Sequence, residues 1–361
     1  MLLNINQDWD YSTQLETKVN WLQELLSPWT RDSIQVFQSP VTQYRMRAEF
    51  RIWHEGDISN YSMYHPGTKQ VYSVTDFPAA TKVIGELMKP LLDTINCSQM
   101  LRRKLFTVEF LASTNNEVVV SLIYHKPLDS EWVQAANTLQ ENFSINLIGR
   151  SRKQRHVFGN DYVTETLHAN NESYQIRHIE NSFTQPNAEV NQKMVQWACD
   201  QASNLSGDLL ELYCGAGNFT LPLSRHFGRV FATEVSKSSI KAMRWNIEAN
   251  AINNVELVRM SAEEVTDAVD EVRSFRRLQH LNLNDYEFQT IFVDPPRAGV
   301  DEKTMELVQR YDNIIYVSCN PESLVKNISQ LSGSYKIKSS AAFDQFPYTA
   351  HLEAGVLLSK Y

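Results

Sequence analysis

The sequence has little that would tie it to a membrane or to export. Its 361 residues contain no apolar run of about 18 residues, the minimum for a membrane-spanning helix. The start of the chain has Asp8 and Asp10 in place of the basic residues and apolar core that mark a signal peptide. We therefore expect a cytoplasmic protein that makes no use of a membrane.

Cysteine is also scarce. The four residues Cys97, Cys199, Cys214 and Cys319 are far apart, and no Cys-x-x-Cys pair is present. Zinc sites, iron–sulfur clusters and disulfide frameworks need closely spaced cysteines, so we expect no metal, no iron–sulfur cluster and free thiols. A free thiol is available for chemistry.

An excess of positive charge is missing as well. The chain has 34 Lys and Arg against 42 Asp and Glu, a net charge of −8, and residues 1–180 carry 17 against 20. A phosphate backbone responds to local potential, so short basic runs are enough for a folded nucleic acid. Solvated surface edges are the other explanation of the same runs, which are Arg45, Arg47 and Arg51; Arg102, Arg103 and Lys104; and Arg150, Arg152, Lys153, Arg155 and His156.

The first half of the chain has the pattern of an α+β domain with an antiparallel sheet, which we assign to residues 1–180. Apolar residues at helical spacing predict a helix near 11–26. Alternating and apolar segments predict strands, and Pro66-Gly67 and Asn115-Asn116 predict turns between strands. The predicted strand segments are 44–54, 61–74, 106–111 and 118–124.

The second half, residues 181–361, alternates between strands and helical stretches. This order is typical of a parallel α/β sheet with crossover helices. Seven strands are predicted, and the last two lack room for a helix between them, so the last hairpin should add one antiparallel strand. The predicted strands are 208–213, 230–234, 255–259, 290–294 and 314–318, with two more ending near Phe343 and Leu358.

Four of these strands end in residues suited to ligand chemistry. The turn at Gly215 and Gly217 lets a ligand approach the backbone, Glu234 is placed to accept ribose hydroxyls, and two prolines fix the geometry after Asp294. A thiol, Cys319, follows the fifth strand ahead of a predicted helix, whose dipole is expected to lower the thiol pKa. Each residue alone also fits an ordinary turn, helix cap or packed thiol, but parallel strands present their carboxyl ends at one sheet edge.

The motifs at these strand ends resemble those of the RNA uracil-5-methyltransferase family, and within it the members that act on the T loop of tRNA. They occur in the family's order across the second half. One departure is Ala354-Gly355 after Glu353, where a β-branched residue is expected. The motifs are Ser182-Phe183-Thr184-Gln185-Pro186-Asn187, Glu211-Leu212-Tyr213-Cys214-Gly215-Ala216-Gly217-Asn218-Phe219, Asp294-Pro295-Pro296-Arg297-Ala298-Gly299, Ser318-Cys319-Asn320-Pro321 and His351-Leu352-Glu353-Ala354-Gly355-Val356-Leu357-Leu358.

The resemblance implies a class I, Rossmann-like fold that uses S-adenosylmethionine, with an N-terminal RNA-binding domain. It implies Cys319 as the nucleophile and Glu353 as the general base. It also implies a monomer that binds the T arm of tRNA and the tRNA-like part of tmRNA. The residues implied for cofactor binding are Gln185, Tyr213, Asn218, Glu234 and Asp294, and those for RNA binding are Arg51, Phe106 and His125.

The chemistry of uracil explains why such an enzyme needs a thiol and a carboxylate. Carbon 5 is too weak a nucleophile to attack a sulfonium methyl group until a thiolate adds at carbon 6. A base must then remove the proton left on carbon 5, and Glu353 is the candidate.

Four other interpretations stay open at this point. A nicotinamide-dependent oxidoreductase fits Gly215, Gly217 and Glu234 but leaves the other motifs unexplained. A methyltransferase for exocyclic amines has an aromatic residue where Arg297 stands. Relatives that act on ribosomal RNA often carry a β-barrel and a four-cysteine cluster, and neither pattern is present. A non-catalytic RNA-binding protein would not need both Cys319 and Glu353.

Overall fold

The structure is a computed structural model that describes residues 9–65, 68–331 and 333–361. The predicted Pro66-Gly67 turn lies outside the described residues. No helix in the described ranges combines the length and the apolar character needed to cross a membrane.

The described residues form ten α-helices and seventeen strands. The helices are α1 Tyr11–Leu26, α2 Lys82–Cys97, α3 Gln99–Arg102, α4 Ser130–Phe143, α5 Ala188–Ala202, α6 Thr220–Leu223, α7 Lys237–Ala249, α8 Ala262–Val269, α9 Glu302–Val308 and α10 Pro321–Leu331. The strands are β1 Gln35–Phe37, β2 Arg47–Glu55, β3 Ile58–Tyr64, β4 Val71–Ser73, β5 Leu105–Ala112, β6 Val118–Tyr124, β7 Asn146–Ser151, β8 Gln154–Phe158, β9 Tyr162–Ala169, β10 Glu172–Ile179, β11 Asp208–Leu212, β12 Val230–Thr233, β13 Val255–Val258, β14 Phe288–Val293, β15 Asn313–Ser318, β16 Tyr335–Phe343 and β17 Glu353–Lys360.

The chain forms two compact units whose boundaries differ from the predicted division near residue 180. One unit, which we call the catalytic unit, contains the described residues up to Pro40, Leu167–Arg177 and Glu189–Tyr361. The other, the N-terminal sheet unit, contains Val41–Thr166 and His178–Ala188. The prediction was wrong for the described residues up to Pro40, because α1 and β1 pack with elements far along the sequence. Local patterns carry no information about such distant pairing.

The catalytic unit is built on a mixed sheet with the order β1-β16-β17-β15-β14-β11-β12-β13. Strands β11 to β15 are mutually parallel where they pair, and β17 runs antiparallel to both β15 and β16. The seven predicted strands are present, with the predicted antiparallel member. The predicted number was nevertheless one too low, because β1 pairs in parallel with β16, and three residues are too few for a periodic pattern.

Apolar clusters cover both faces of this sheet. Alternate residues of a strand point to opposite faces, so Leu210 joins one cluster and Leu209 the other. The first cluster includes Leu22 of α1 and Leu324 of α10. The second includes Trp197 of α5. This layering is the α/β architecture that the alternation of elements predicts.

The N-terminal sheet unit has a seven-stranded sheet in the order β4-β3-β2-β5-β6-β7-β8. Its pairs are antiparallel, as predicted, except that β6 and β7 are parallel, with α4 as the crossover between them. Its buried cluster contains Phe50 and Phe110 from the sheet, Ile84 from α2 and Trp132 from α4. One face of the sheet is therefore closed by helices.

Candidate active site

The predicted ligand edge of the catalytic unit is formed by four neighbouring parallel strands. Leu212 at the end of β11 is in register with Thr233 of β12 and with Val293 of β14. Val293 is in turn in register with Tyr316 of β15. The residues that follow these ends, including Asp294, therefore emerge side by side. The structure thus brings Tyr213, Glu234, Asp294 and Cys319 to one edge of the sheet.

Glu353 lies at the same edge of the sheet, at the start of a strand that runs antiparallel to β15. It is the first residue of β17, and Ala354, the next residue, pairs with Ser318 at the end of β15. Cys319 follows Ser318 directly, so the antiparallel register sets Glu353 beside it. A separation of 34 residues in sequence (353 − 319) is closed by this pairing.

The turn after β11 is shaped for close approach to the backbone. Tyr213, Gly215 and Gly217 all have left-handed φ angles, of 61°, 57° and 90°. A Cβ atom at Gly217 would lie 3.2 Å from the Met243 side chain and would also be strained by that φ. Nothing lies within 4 Å of the place where a Cβ atom of Gly215 would be, so a ligand can come close to the backbone of this turn.

Glu234 is held by backbone hydrogen bonds at this turn. Its Oε2 accepts from Gly215 N at 3.1 Å, and its Oε1 accepts from Val235 N and Ser236 N at 2.8 and 2.7 Å. Ionised carboxylates have four acceptor positions, so the side chain is oriented and retains capacity for a ligand hydroxyl. The ribose role of Glu234 stays a prediction.

Asn218 is oriented by a reciprocal amide pair. Its Nδ2 donates to Asn191 Oδ1 at 2.8 Å, and Asn191 Nδ2 donates to Asn218 Oδ1 at the same distance. Each amide group keeps one N–H for another acceptor. Helix α5 thereby fixes the side chain that follows the glycine turn.

Buried carboxyl groups give the site an unusual electrostatic character. Glu211 is 1% exposed and Glu353 is 4% exposed, and one oxygen of each, Oε2, is buried without a hydrogen-bond partner among the described residues. Burial, with the nearby Asp294 carboxyl adding to it, raises the pKa of Glu353 to about 8. Burial also raises the pKa of Glu211 to about 8 and that of Asp294 to about 7. Such a group of acids favours a cationic ligand.

Glu211 was not predicted as a site residue. It lies in the middle of β11, where a residue buried on both faces of the sheet is normally apolar. A charged residue inside the run Leu209-Leu210-Glu211-Leu212 is the signal that would have identified it.

The expectation that a helix dipole lowers the pKa of Cys319 was wrong. Burial raises the pKa of the Cys319 thiol to about 11, with Glu353 and Asp294 adding to the rise and Arg297 opposing it. Burial and two acidic neighbours therefore outweigh the start of α10 at Pro321. The free protein keeps this half-buried thiol protonated at neutral pH.

The predicted RNA-binding residues form a stacked group in the N-terminal sheet unit. The rings of Phe106 and His125 are 4.1 Å apart with an angle of 22° between their planes. The guanidinium carbon of Arg51 lies 5.1 Å from the Phe106 ring centre and 5.2 Å from that of Tyr64. Arg51 Nη1 also donates to Tyr64 Oη at 3.0 Å, so Tyr64 is a member that the sequence did not indicate.

Other predicted residues in this unit have different surroundings. Gln185 belongs to the N-terminal sheet unit, and its Oε1 is buried without a hydrogen-bond partner among the described residues. Several arginines of the basic runs make hydrogen bonds or ion pairs within the N-terminal sheet unit. Arg47 donates to Ser182 O, Arg150 pairs with Glu180, and Arg155 pairs with Asp161 at 2.8 Å. These three arginines therefore do not form a free basic surface.

Comparison with known proteins gives the family that the motifs resemble. The model of the tRNA (Uracil-5-)-methyltransferase family matches residues 10–361. A tRNA/tmRNA (uracil-C(5))-methyltransferase from Pseudoalteromonas atlantica is 49% identical over 355 residues, which cover 97% of each chain. One from Neisseria meningitidis serogroup C is 51% identical over 357 residues, again covering 97% of each chain.

A solved structure shows the same fold. The chain superposes with a TM-score of 0.75 on the tRNA (uracil-54, C5)-methyltransferase of Pyrococcus abyssi in complex with S-adenosyl-L-homocysteine. The two are 22% identical, and the match covers 98% of this chain and 84% of the other. With a family match over nearly the whole sequence and relatives near half identity, the chain belongs to the tRNA (uracil-5-)-methyltransferase family.

Proposed function

We propose that this chain transfers a methyl group from S-adenosylmethionine to carbon 5 of the T-loop uridine of tRNA, and of the tRNA-like part of tmRNA. The named activity of its relatives supports the substrate and the reaction. The pairing of Ser318 with Ala354 carries the mechanistic part, because it sets Cys319 and Glu353 side by side. A thiol beside a carboxyl is what addition at carbon 6 and proton removal at carbon 5 require.

The ligand edge fits S-adenosylmethionine, which supplies a methyl group on a positively charged sulfur. Burial favours the neutral form of the Glu211, Asp294 and Glu353 carboxyls in the free protein, and a cation bound beside them would favour their ionised form. Binding of the donor and ionisation of these acids therefore support each other. Glu234 would accept the ribose hydroxyls, and Tyr213 and Asn218 flank the glycine turn. The part played by Gln185 stays a prediction from the family resemblance.

Cys319 begins the reaction. The thiol proton passes to solvent water, Sγ then forms a bond to carbon 6 of the uracil, and the electron pair of the carbon 5–carbon 6 double bond moves towards the ring carbonyl at carbon 4. Burial raises the pKa of this thiol, and negative charge on Glu353 and Asp294 adds to the rise. A cationic methyl donor bound beside these carboxyls offsets that charge and favours the thiolate.

Glu353 completes the reaction. Carbon 5 forms its bond to the methyl group as the bond from methyl to sulfur breaks. The Glu353 carboxylate then takes the proton from carbon 5, the ring double bond returns, and the bond from Sγ to carbon 6 breaks to regenerate the thiolate. Burial raises the pKa of Glu353 to about 8, which suits a group that must accept a proton near neutral pH.

The stacked group of the N-terminal sheet unit is suited to unpaired bases. Single-stranded loops of RNA are recognised by stacking on aromatic and guanidinium planes, and a target base inside a folded loop must be turned out of its stack. Phe106, His125 and Arg51 offer such planes.

We also propose that the protein is a cytoplasmic monomer.

The test is a pair of substitutions assayed on unmodified tRNA. Cys319→Ala should abolish methyl transfer and leave S-adenosylmethionine binding intact. Glu353→Gln should form a covalent protein–RNA adduct that persists, because the proton on carbon 5 has no acceptor. The adduct is seen as a slower band on a denaturing gel, and it should be missing from the Cys319→Ala/Glu353→Gln protein.

The exposed thiol Cys97 provides the control. Cys97→Ala should methylate tRNA at the wild-type rate, which separates the chemistry of Cys319 from the general effect of removing a thiol. Normal methylation by the Cys319→Ala protein would end the proposal that Cys319 is the nucleophile.

A further inference from the structure

Helix α1 makes polar contacts deep inside the catalytic unit. Lys18 is 0% exposed, as is Gln14, although both side chains normally remain in water. Lys18 Nζ donates to Asp344 Oδ1 at 2.7 Å and to the carbonyl oxygen of Phe346 at 3.0 Å. Gln14 Oε1 accepts from the backbone N–H of Tyr348 at 2.7 Å. The helix therefore holds three positions of a single loop.

That loop leads directly to Glu353. It joins Phe343, the last residue of β16, to Glu353, the first residue of β17, and these two residues pair with each other. Inside the loop, Thr349 Oγ1 donates to Phe346 O at 2.8 Å and His351 N donates to Thr349 Oγ1 at 3.2 Å. Hydrogen bonds within the loop thus connect the residues that α1 contacts to the residues just before β17.

Stability alone does not explain the buried pair of Lys18 and Asp344. The desolvation of two charges offsets much of their attraction, and well-packed apolar residues of similar size often stabilise a protein as well or better. Buried ion pairs can instead select one arrangement of the chain, because a shifted loop would leave both charges without a partner. Such an arrangement matters most where a neighbouring group must be held in one place.

We propose that Lys18, Asp344 and Gln14 are positioning residues that hold the loop so that Glu353 is aligned with the proton on carbon 5 of the uracil. This inference rests on the proposed role of Glu353. None of the three residues touches the reacting atoms; they act through the loop between β16 and β17.

The experiment separates methyl transfer from proton removal in a single turnover. Unmodified tRNA with tritium on carbon 5 of its uridines is mixed with the full-length protein and S-adenosylmethionine labelled in its methyl group. In Lys18→Met, tritium release should slow by about tenfold or more, since small misplacements of a catalytic group have effects of this size. Methyl incorporation should change far less, and methylated covalent adduct should accumulate.

Two further variants protect the test against simple loss of folding. Asp344→Asn keeps the shape of the pair and removes one charge, and it should also delay tritium release relative to methyl incorporation. Lys18→Met/Asp344→Leu replaces the pair by apolar groups. If it melts like the wild type and still accumulates adduct, positioning is supported; if it regains wild-type tritium release, the inference is overturned.

The ion pair of Arg229 and Asp208 is the matched control, because it lies in the same unit at the other ends of the strands, with its atoms 2.7 Å apart. Arg229→Met should affect stability alone, so its tritium release and methyl incorporation should remain coupled. Equal slowing of both steps in Lys18→Met, as for a merely structural residue, would overturn the inference. Should Glu353→Gln itself fail to accumulate adduct, the proposed function is at fault.

Discussion

At the scale of single residues, the site contains carboxyl groups in the protein interior, where acidic side chains are rare. Glu211 and Glu353 are almost fully buried, and burial raises the pKa of each to about 8. In the unfolded chain these groups return to ordinary pKa values near 4. The folded protein therefore binds protons that the unfolded chain has released between about pH 5 and 8, and its stability should decline as the pH rises through this window.

We predict that Glu211→Gln stabilises the free protein more at pH 8 than at pH 5. In the wild type, ionisation of Glu211 lowers the free energy of unfolding by on the order of 1 kcal/mol per pH unit in this window. An amide of the same shape cannot ionise, so the variant does not lose this free energy. Urea unfolding at several pH values measures the difference. A gain that is the same at pH 5 and pH 8 would contradict the raised pKa.

Asp270 supplies the comparison for this experiment. Its pKa is lowered by a hydrogen bond from Arg310, so the sign is reversed. Asp270→Asn should therefore bring no stabilisation that grows with pH.

At this scale, the sequence predicts the shared position of residues that lie in motifs at strand ends. Tyr213, Glu234, Asp294 and Cys319 follow strands that the sequence outlines, so their shared edge was predictable. The pair of Lys18 and Asp344 was not, because its partners are 326 residues apart and neither lies in a motif. The raised pKa of Cys319 also escaped prediction, since it depends on burial and on two acids brought in by the fold.

At the scale of elements, β17 shows why one departure from the expected sequence is present. A β-branched residue was expected where Ala354-Gly355 follow Glu353, and the structure gives a reason for Gly355. A Cβ atom there would lie 2.7 Å from Cζ3 of Trp197 and 3.1 Å from Cε2 of Phe343. The indole ring fills the space of a side chain, so the glycine is a packing requirement.

We predict that Gly355→Val destabilises the catalytic unit by about 1 to 3 kcal/mol, because overpacking forces Trp197 out of place. Denaturant unfolding measures the change. In a Trp197→Leu background the same substitution should cost less, since the smaller side chain leaves room. Equal losses in both backgrounds would show that the ring is not the obstacle.

At the scale of the whole molecule, a net charge of −8 limits how the protein holds RNA. Arg47, Arg150 and Arg155 are engaged within the N-terminal sheet unit, so the aromatic group at Phe106 and His125 should carry much of the binding. Stacking depends little on salt, whereas each phosphate contact adds to the salt dependence of affinity.

We predict that Phe106→Ala weakens tRNA binding by about 1 to 3 kcal/mol with an unchanged salt dependence. Arg51→Ala should weaken it and reduce the slope of log affinity against log salt by about one. Filter binding across a series of KCl concentrations measures both. Lys82→Ala, which removes an exposed lysine paired with Glu86, should leave affinity unchanged; a flatter slope for Phe106→Ala would count against stacking.

The placement of α1 and β1 has a consequence for how the protein is made. Strand β1 pairs with β16, and Lys18 with Asp344, so the beginning of the catalytic unit meets partners near the end of the chain. Ribosomes add about 5 to 20 residues per second, so roughly 15 to 60 seconds separate the synthesis of these partners. Residues 41–166 emerge in that interval and contain most of the N-terminal sheet unit. During translation, the N-terminal sheet unit should therefore fold before the catalytic unit. Helix α1 and strand β1 can take their final places only after β16 and the loop that follows it have been synthesised.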